Sequence, residues 1–268
     1  MSTLQSPPTT PAALRQLCRN GQLTGPTPGL APGFAQANLV ILPQAYAFDF
    51  LLFCQRNPKP CPILDVTDLG SPAPGRIAPG ADIRRDLPRY RVFHGGQLTE
   101  ERTDISDIWR EDFIAFLIGC SFTFEGAMVS AGLPMRHVEE GKNVPMYRTN
   151  LTCQPAGLFS APLVVSMRPL PRHQVMLATE VTSRYPRVHG SPIHIGDPAA
   201  IGIHQLDRPD YGDAVTIHAD EVPVFWACGV TTQQALLTAR PEIAITHAPG
   251  HMFISDVTND RLSLLAAI

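Results

Sequence analysis

The chain has 268 residues, of which 44% are hydrophobic and 17% are charged, and its formal net charge is -3. This length favours two modest domains over one large domain, and the charge balance offers no basic patch for nucleic acid or an anionic membrane. No apolar run approaches the ~18 residues of a membrane span and no signal sequence opens the chain, so we expect a cytoplasmic protein.

The cysteines and the N-terminus agree with that expectation. Six cysteines are spread along the chain without a C-x-x-C pair, and most stand in apolar runs. This pattern predicts reduced core thiols. Residues 1–12, which are rich in Pro, Ser and Thr, predict a loose lead-in.

The first elements along the chain alternate between strand and helix. Residues 11–21 predict a short helix, 38–42 a buried strand, 44–56 a helix and 62–66 a second buried strand. Strand, helix and strand with short links are typical of a right-handed βαβ crossover. We therefore expect a sheet that is at least partly parallel.

The next stretch predicts the longest helix and a candidate acid. Residues 90–94 predict a strand, and residues 104–120 predict a long helix, because Asp104 can cap it and apolar residues recur at helical spacing. Glu125 then follows two phenylalanines. A carboxyl in that setting would be desolvated and its pKa raised, as a general acid needs, whereas the alternative is a solvated glutamate at a helix end.

Residues 143–150 predict an extended polar segment. Asn143, Tyr147, Arg148 and Asn150 are suited to bind a small polar ligand, with Arg148 holding a carboxylate through its planar fork. The competing interpretation is a solvated strand edge, because such edges are commonly polar.

A strand at 163–167 and a helix at 171–185 lead into the most irregular polar segment of the chain, residues 183–198. Its Gly and Pro residues fix an irregular backbone path, as in many loops that form binding or catalytic sites. An ordinary surface turn with Arg and His side chains is the alternative, because it has the same composition. The candidate site residues of this loop are Arg184, Arg187, His189, His194 and Asp197.

The C-terminal part predicts strands at 213–218, 222–228 and 243–246, with a helix between Cys228 and Arg240. His247 and His251 follow the last strand, where α/β folds bind ligands. With His189, His194 and Asp197 they leave a metal site as an alternative, but no recognised zinc spacing occurs. We therefore predict neither a metal nor a cofactor.

These elements predict an α/β fold with a mixed, partly parallel sheet flanked by helices in three layers and a smaller α+β inserted lobe. Residues 1–146 and 205–268 would form the main domain, because the last strand, helix and strand repeat the first pattern. Residues 147–204 would form the lobe that carries the Arg/His loop.

Five blocks of sequence, taken together, resemble the D-glutamate cyclase family, whose bacterial single-module members are named as hydro-lyases. The blocks are Cys-Ser-Phe-Thr-Phe-Glu at 120–125, Asn-Val-Pro-Met-Tyr-Arg-Thr-Asn at 143–150, the loop at 183–198, Val-Phe-Trp-Ala-Cys-Gly-Val-Thr at 224–231 and Thr-His-Ala-Pro-Gly-His-Met at 246–252. They come in the family's order and cover nearly the whole chain. The resemblance implies a lyase that removes water, since longer eukaryotic relatives close D-glutamate to 5-oxo-D-proline.

The chemistry of that closure suggests roles for the candidate residues. A base must deprotonate the amine, an acid must protonate the departing oxygen, and a cation must hold the α-carboxylate. His189 or His247 would be the base and Glu125 or Asp197 the acid. The predicted substrate-binding residues are Asn143, Tyr147, Arg148, Asn150, Arg184, Arg187, His194 and His251.

Elimination of water from a hydroxy acid would use the same residues. A His/Asp metal-dependent hydrolase and a non-catalytic protein that binds small acids are the alternatives of other classes. We expect a small carboxylate as the partner and no nucleic acid or membrane, and a homodimer is an open alternative.

Overall fold

The computed structural model describes residues 10–264, in which two antiparallel sheets are joined by helices and long loops. Residues 1–9 of the predicted lead-in and residues 265–268 lie outside the described part. The helices are α1 (Pro11–Arg19), α2 (Gln44–Arg56), α3 (Phe122–Ser130), α4 (Arg136–Glu139), α5 (Val175–Ser183) and α6 (Val230–Ala239). Short 3-10 turns are Ser106–Ile108, Arg172–Gln174, Pro186–Val188, Pro198–Ile201 and Asn259–Leu262.

The first sheet has seven strands in the order β2-β5-β1-β10-β3-β4, with β11 also pairing with β1. The strands are β1 (Phe34–Pro43), β2 (Ile63–Val66), β3 (Tyr90–His94), β4 (Gln97–Arg102), β5 (Phe113–Gly119), β10 (Ala244–His247) and β11 (Phe253–Thr258). The centre of this sheet is the β1–β5 pair, which is antiparallel from Ala37 opposite Gly119 to Pro43 opposite Phe113.

The second sheet has four strands in the order β6-β7-β9-β8. They are β6 (Met146–Thr152), β7 (Pro162–Pro171), β8 (His194–Ile195) and β9 (Glu221–Ala227). Every pairing within it is antiparallel. All four strands come from the middle of the chain.

The two sheets share their cores. Successive residues of a strand face opposite sides, and Leu39 of β1 and Trp226 of β9 belong to one buried cluster. Val40 of β1 and Phe225 of β9 belong to the other. Both sheets therefore contribute to both clusters, and the division into a main domain and a lobe stays a prediction.

The α/β class is confirmed, but the predicted parallel pairing is wrong. β1 and β2 both pair antiparallel with β5. They consequently run in the same direction, as a crossover through α2 requires, yet β5 lies between them. A later part of the chain fills the place next to β1, which the local pattern could not show. The three-layer arrangement stays a prediction.

The predicted helix at 104–120 is also wrong. This stretch contains the turn Ser106–Ile108 and then β5, whose residues are nearly all buried on both faces of the sheet. A continuous apolar run also places hydrophobic residues at helical spacing, so periodicity alone cannot distinguish a helix from a buried strand. The short length of this run and the glycine at its end are typical of a strand.

Other elements compare with the sequence as follows. The helices α1, α2 and α6 and the strand β3 are confirmed. Residues 213–218 form no strand, while β4 and β11 were not predicted. The strand–helix–strand of β9, α6 and β10 joins the second sheet to the first instead of repeating a unit within one sheet.

Two simpler expectations concern cysteines and membranes. All six cysteines are free and buried, as predicted. Within residues 10–264, no helix is long and apolar enough to cross a bilayer.

The contact between Gly119 and the Arg187 main chain gives a stability prediction. A Cβ at Gly119 would overlap the Arg187 carbonyl oxygen, whereas a Cβ at Gly126 of α3 meets nothing within 4 Å. Gly119→Ala should therefore lower the free energy of unfolding by about 2 kcal/mol, a typical cost of overpacking. Gly126→Ala is the control and should raise it by about 0.5 kcal/mol, because glycine weakens a helix interior. Urea unfolding measures both, and equal effects would contradict the close approach.

Candidate active site

The candidate site is built on a buried ion pair between Glu125 and Arg168. Glu125 lies on α3, which begins directly after β5, and its carboxylate is paired with the Arg168 guanidinium on β7. Arg168 Nε also donates to Glu125 Oε1 at 3.2 Å. The pair therefore links the helix that follows β5 of the first sheet to a central strand of the second.

Other donors of Arg168 are also engaged. Its two terminal nitrogens donate to the hydroxyls of Ser166 and Ser121, each at 3.1 Å. The guanidinium lies 5.4 Å from the ring centroids of Phe124 and Trp226. Since Arg168 is fully buried, these contacts replace the water that its charge would otherwise need.

His137 of α4 completes the cluster. Its ring is buried, and Nε2 lies 3.2 Å from Glu125 Oε1. Glu125 therefore has a guanidinium and an imidazole beside one carboxylate oxygen.

This environment sets the charge of Glu125. Burial alone would raise the pKa of the carboxyl, but Arg168 and His137 outweigh it and lower the pKa to about 2. Glu125 is consequently ionised at neutral pH. The expected rise in its pKa is wrong, because Arg168 and His137, which are distant in sequence, lie beside the carboxylate and stabilise its charged form.

Glu125 and the side chain of Gln36 line a cavity of about 240 Å³. Its walls come from the loop of residues 29–34, from α3, and from Met135 and Val138 around α4. The Gln36 amide donates to the main-chain carbonyls of Thr27 and Leu30, so it is fixed as part of the wall. A small substrate in this cavity would lie against Glu125.

The two histidines predicted as bases, His189 and His247, are both buried and uncharged. His189 has a left-handed backbone, with φ at 86°, and donates from Nδ1 to the Lys59 carbonyl at 2.9 Å. His247 accepts at Nδ1 from the Leu39 N–H at 3.1 Å. Burial lowers the pKa of each ring to about 4. Both are therefore neutral near pH 7.

Asn143 and His251 lie on either side of Gly250. Asn143 donates from its main chain to the Asp213 carboxylate at 2.9 Å, and a Cβ on Gly250 would contact its side-chain amide. Its buried Oδ1 finds no hydrogen-bond partner within residues 10–264. His251 Nδ1 donates to the Pro249 carbonyl at 2.9 Å, and burial lowers its pKa. The structure thus brings together the segments at 143–150 and 246–252.

Two other candidates on β6, Tyr147 and Arg148, form structural contacts. The Tyr147 hydroxyl donates to the Leu206 carbonyl at 2.7 Å, and Arg148 is ion-paired with Asp210 at 2.7 Å. Arg148 and Asn150 are exposed. Their predicted role in substrate binding stays a prediction.

The loop at 183–198 is divided between core and surface. His189 is buried, whereas Arg184 and Arg187 are exposed. His194 donates from Nε2 to the Asp197 main-chain carbonyl at 2.6 Å, and the Asp197 carboxylate accepts the Ala199 N–H at 3.0 Å and caps a 3-10 turn. The candidate residues of this loop, although close in sequence, therefore do not form one cluster.

Residues that our sequence analysis did not select form much of the buried cluster. They are Ser121, His137, Ser166, Arg168 and Trp226. Arg168 had a signal, because it stands in the apolar run that became β7, and a charge in a buried strand needs a partner. His137 had none.

No group of three or more His, Cys, Asp or Glu residues within residues 10–264 is arranged to hold a metal ion.

Comparison with known proteins gives a consistent result. The family model described as D-glutamate cyclase matches residues 114–256. Proteins named "Putative hydro-lyase" from Geobacillus kaustophilus and Bacillus licheniformis are each 60% identical to this chain, over 251 and 255 residues. The alignments cover 94% and 95% of this chain and 95% and 97% of those proteins.

Among solved structures, the nitrogen repressor-like protein of Methanococcus jannaschii is similar over 89% of this chain and 96% of that chain. The TM-score is 0.38 at 11% identity, which carries no argument about fold or function.

The lowered pKa of Glu125 predicts a pH-dependent stability. The folded carboxyl has a pKa of about 2, against 4.5 ordinarily, so it stabilises the fold above pH 4.5 and this contribution is lost as the pH falls towards 2. The loss should approach about 3 kcal/mol. In Glu125→Gln, urea unfolding at pH 7 should show a loss of about 3–5 kcal/mol and a flatter dependence below pH 4.5.

Glu242→Gln is the matched control, because that carboxylate is exposed in its ion pair with Arg110. Its effect at pH 7 should stay below about 1 kcal/mol. If the free energy of unfolding of Glu125→Gln fell below pH 4.5 as steeply as that of the unmodified chain, the lowered pKa of Glu125 would be contradicted.

Proposed function

This chain belongs to the D-glutamate cyclase family, and from that premise we propose that it is a hydro-lyase that closes D-glutamate to 5-oxo-D-proline. The observation that carries the proposal is the ionised, buried Glu125 at the wall of a small cavity. A cavity of about 240 Å³ suits a small amino acid.

The reaction requires several proton transfers. The amine nitrogen forms a bond to the γ-carboxyl carbon, and one carbon–oxygen bond of that carboxyl breaks. The ammonium group loses two protons and the departing oxygen gains two, so water leaves and the net charge is unchanged. A group that first accepts a proton and then donates it can serve both steps.

In our proposal, Glu125 is the group that first accepts a proton and then donates it. It starts as a carboxylate, and the entry of an anionic substrate would raise its pKa through repulsion between like charges. It could then hold a proton taken from the amine and return it to the departing oxygen. Arg168 is fully buried and would act as a positioning residue that keeps Glu125 directed at the cavity.

Elimination of water from a hydroxy acid is the second candidate. The same carboxylate would take a proton bound to carbon, and hydroxide would leave with a proton. The name of the relatives, hydro-lyase, is compatible with both reactions.

The decisive assay follows D-glutamate, L-glutamate and 5-oxo-D-proline by chiral chromatography with purified protein. We expect conversion between the D-forms only. Glu125→Gln should lower kcat about 100-fold or more, because general acid–base catalysis is lost, while Glu242→Gln should retain activity. Circular dichroism at the assay temperature verifies folding.

Unchanged turnover in folded Glu125→Gln would remove this residue from the mechanism. Absence of conversion by the unmodified protein would overturn the D-glutamate proposal, and a panel of hydroxy acids would then test the second candidate.

His189 is the alternative proposed base, in place of Glu125, and its low pKa gives a separate prediction for that alternative. If it accepts the amine proton, kcat/KM for D-glutamate should stay level from pH 8 to about 5 and fall only as His189 becomes protonated near pH 4. His189→Gln should abolish turnover while the protein stays folded. An inflection near pH 6.5, or full activity in the variant, would exclude His189 as the base.

A further inference from the structure

A second cleft, of about 200 Å³, lies apart from the Glu125 cavity and shares none of its lining residues. Three chain segments that are distant in sequence each place one arginine on it. Arg76 comes from the loop after β2, Arg187 from the turn Pro186–Val188, and Arg261 from the turn Asn259–Leu262. We call it the arginine cleft.

The three arginines of this cleft differ from most of the other arginines in their partners. Within residues 10–264, none of them forms an ion pair or a side-chain hydrogen bond, whereas most of the chain's other arginines are ion-paired. Three positive charges therefore converge on one cleft in a chain whose net charge is -3.

Two carboxylates close to the arginine cleft in sequence have other partners. Asp65 accepts the main-chain N–H groups of Val66 and Arg76 at 2.9 and 3.1 Å. Asp256 is ion-paired with Arg15 at 2.9 Å. Asp256 is thus paired with a cation outside the arginine cleft, and Asp65 forms no ion pair with the three arginines. An anion that enters the cleft would find guanidinium donors without ion-pair partners among the described residues.

The floor of the arginine cleft is apolar and fixed. Leu64, Ile77 and Leu262 line it, and all three are buried members of a large core cluster. An apolar floor below a cationic rim offers contact to a hydrophobic group and bidentate hydrogen bonds to an oxyanion. A free inorganic ion would use only half of these contacts.

We propose that the arginine cleft binds a small organic oxyanion, a phosphate monoester or a carboxylate carried on an apolar group. This site goes beyond the proposed lyase activity, because it stands apart from Glu125. Its test needs no turnover, so its failure would leave the proposed reaction untouched.

The test is isothermal titration of the full chain with phenyl phosphate, benzoate and inorganic phosphate at low ionic strength. We expect phenyl phosphate or benzoate to bind more tightly than inorganic phosphate, since only the organic anions carry a ring that can contact the apolar floor. Arg76→Gln combined with Arg261→Gln should weaken that binding about tenfold or more. Whichever organic probe binds more tightly identifies the favoured oxyanion.

The matched control combines Arg172→Gln with Arg240→Gln, which removes the same charge from exposed arginines elsewhere. Its affinity should change less than about twofold. An equal loss in both double variants would mean general charge attraction and would overturn the proposal. So would the absence of binding by all three probes, or inorganic phosphate binding as tightly as the organic anions.

Discussion

The buried pair of Glu125 and Arg168 is the constraint on which the candidate site depends. Each charge would cost several kcal/mol if it were removed from water alone, so each requires the other together with the serine hydroxyls and the aromatic rings around Arg168. Because Glu125 follows β5 and Arg168 lies on β7, this requirement fixes α3 against the second sheet. The cavity wall is consequently set by an electrostatic demand as well as by packing.

Burial has opposite outcomes for the ionisable groups of this protein. At Glu125 the neighbouring cation overcomes desolvation and the group stays charged, whereas at His189 and His247 desolvation prevails and the rings stay neutral. These groups therefore comprise a balanced ion pair and two uncharged bases at neutral pH. This distribution is compatible with a reaction that begins by removing a proton from the substrate.

Two errors of the sequence-based prediction, the helix at 104–120 and the parallel pairing, have one physical origin. A run such as Phe113–Gly119 is apolar at every position, so it fits the face of a helix and a strand buried on both sides equally well. In the fold it becomes β5, and by entering between β1 and β2 it also removes the expected parallel pair. One ambiguous stretch thus accounts for both the missing helix and the wrong sheet topology.

The sequence by itself determined the family through five ordered blocks, and it located α1, α2, α6 and β3, because caps, prolines and periodic apolar residues act locally. It also selected Glu125. Only the tertiary structure decided the partners of that residue, since Arg168 and His137 approach it from β7 and α4. The direction of the Glu125 pKa shift, the burial of His189 and the convergence of three arginines likewise depend on which distant segments meet, and no local pattern encodes those distances.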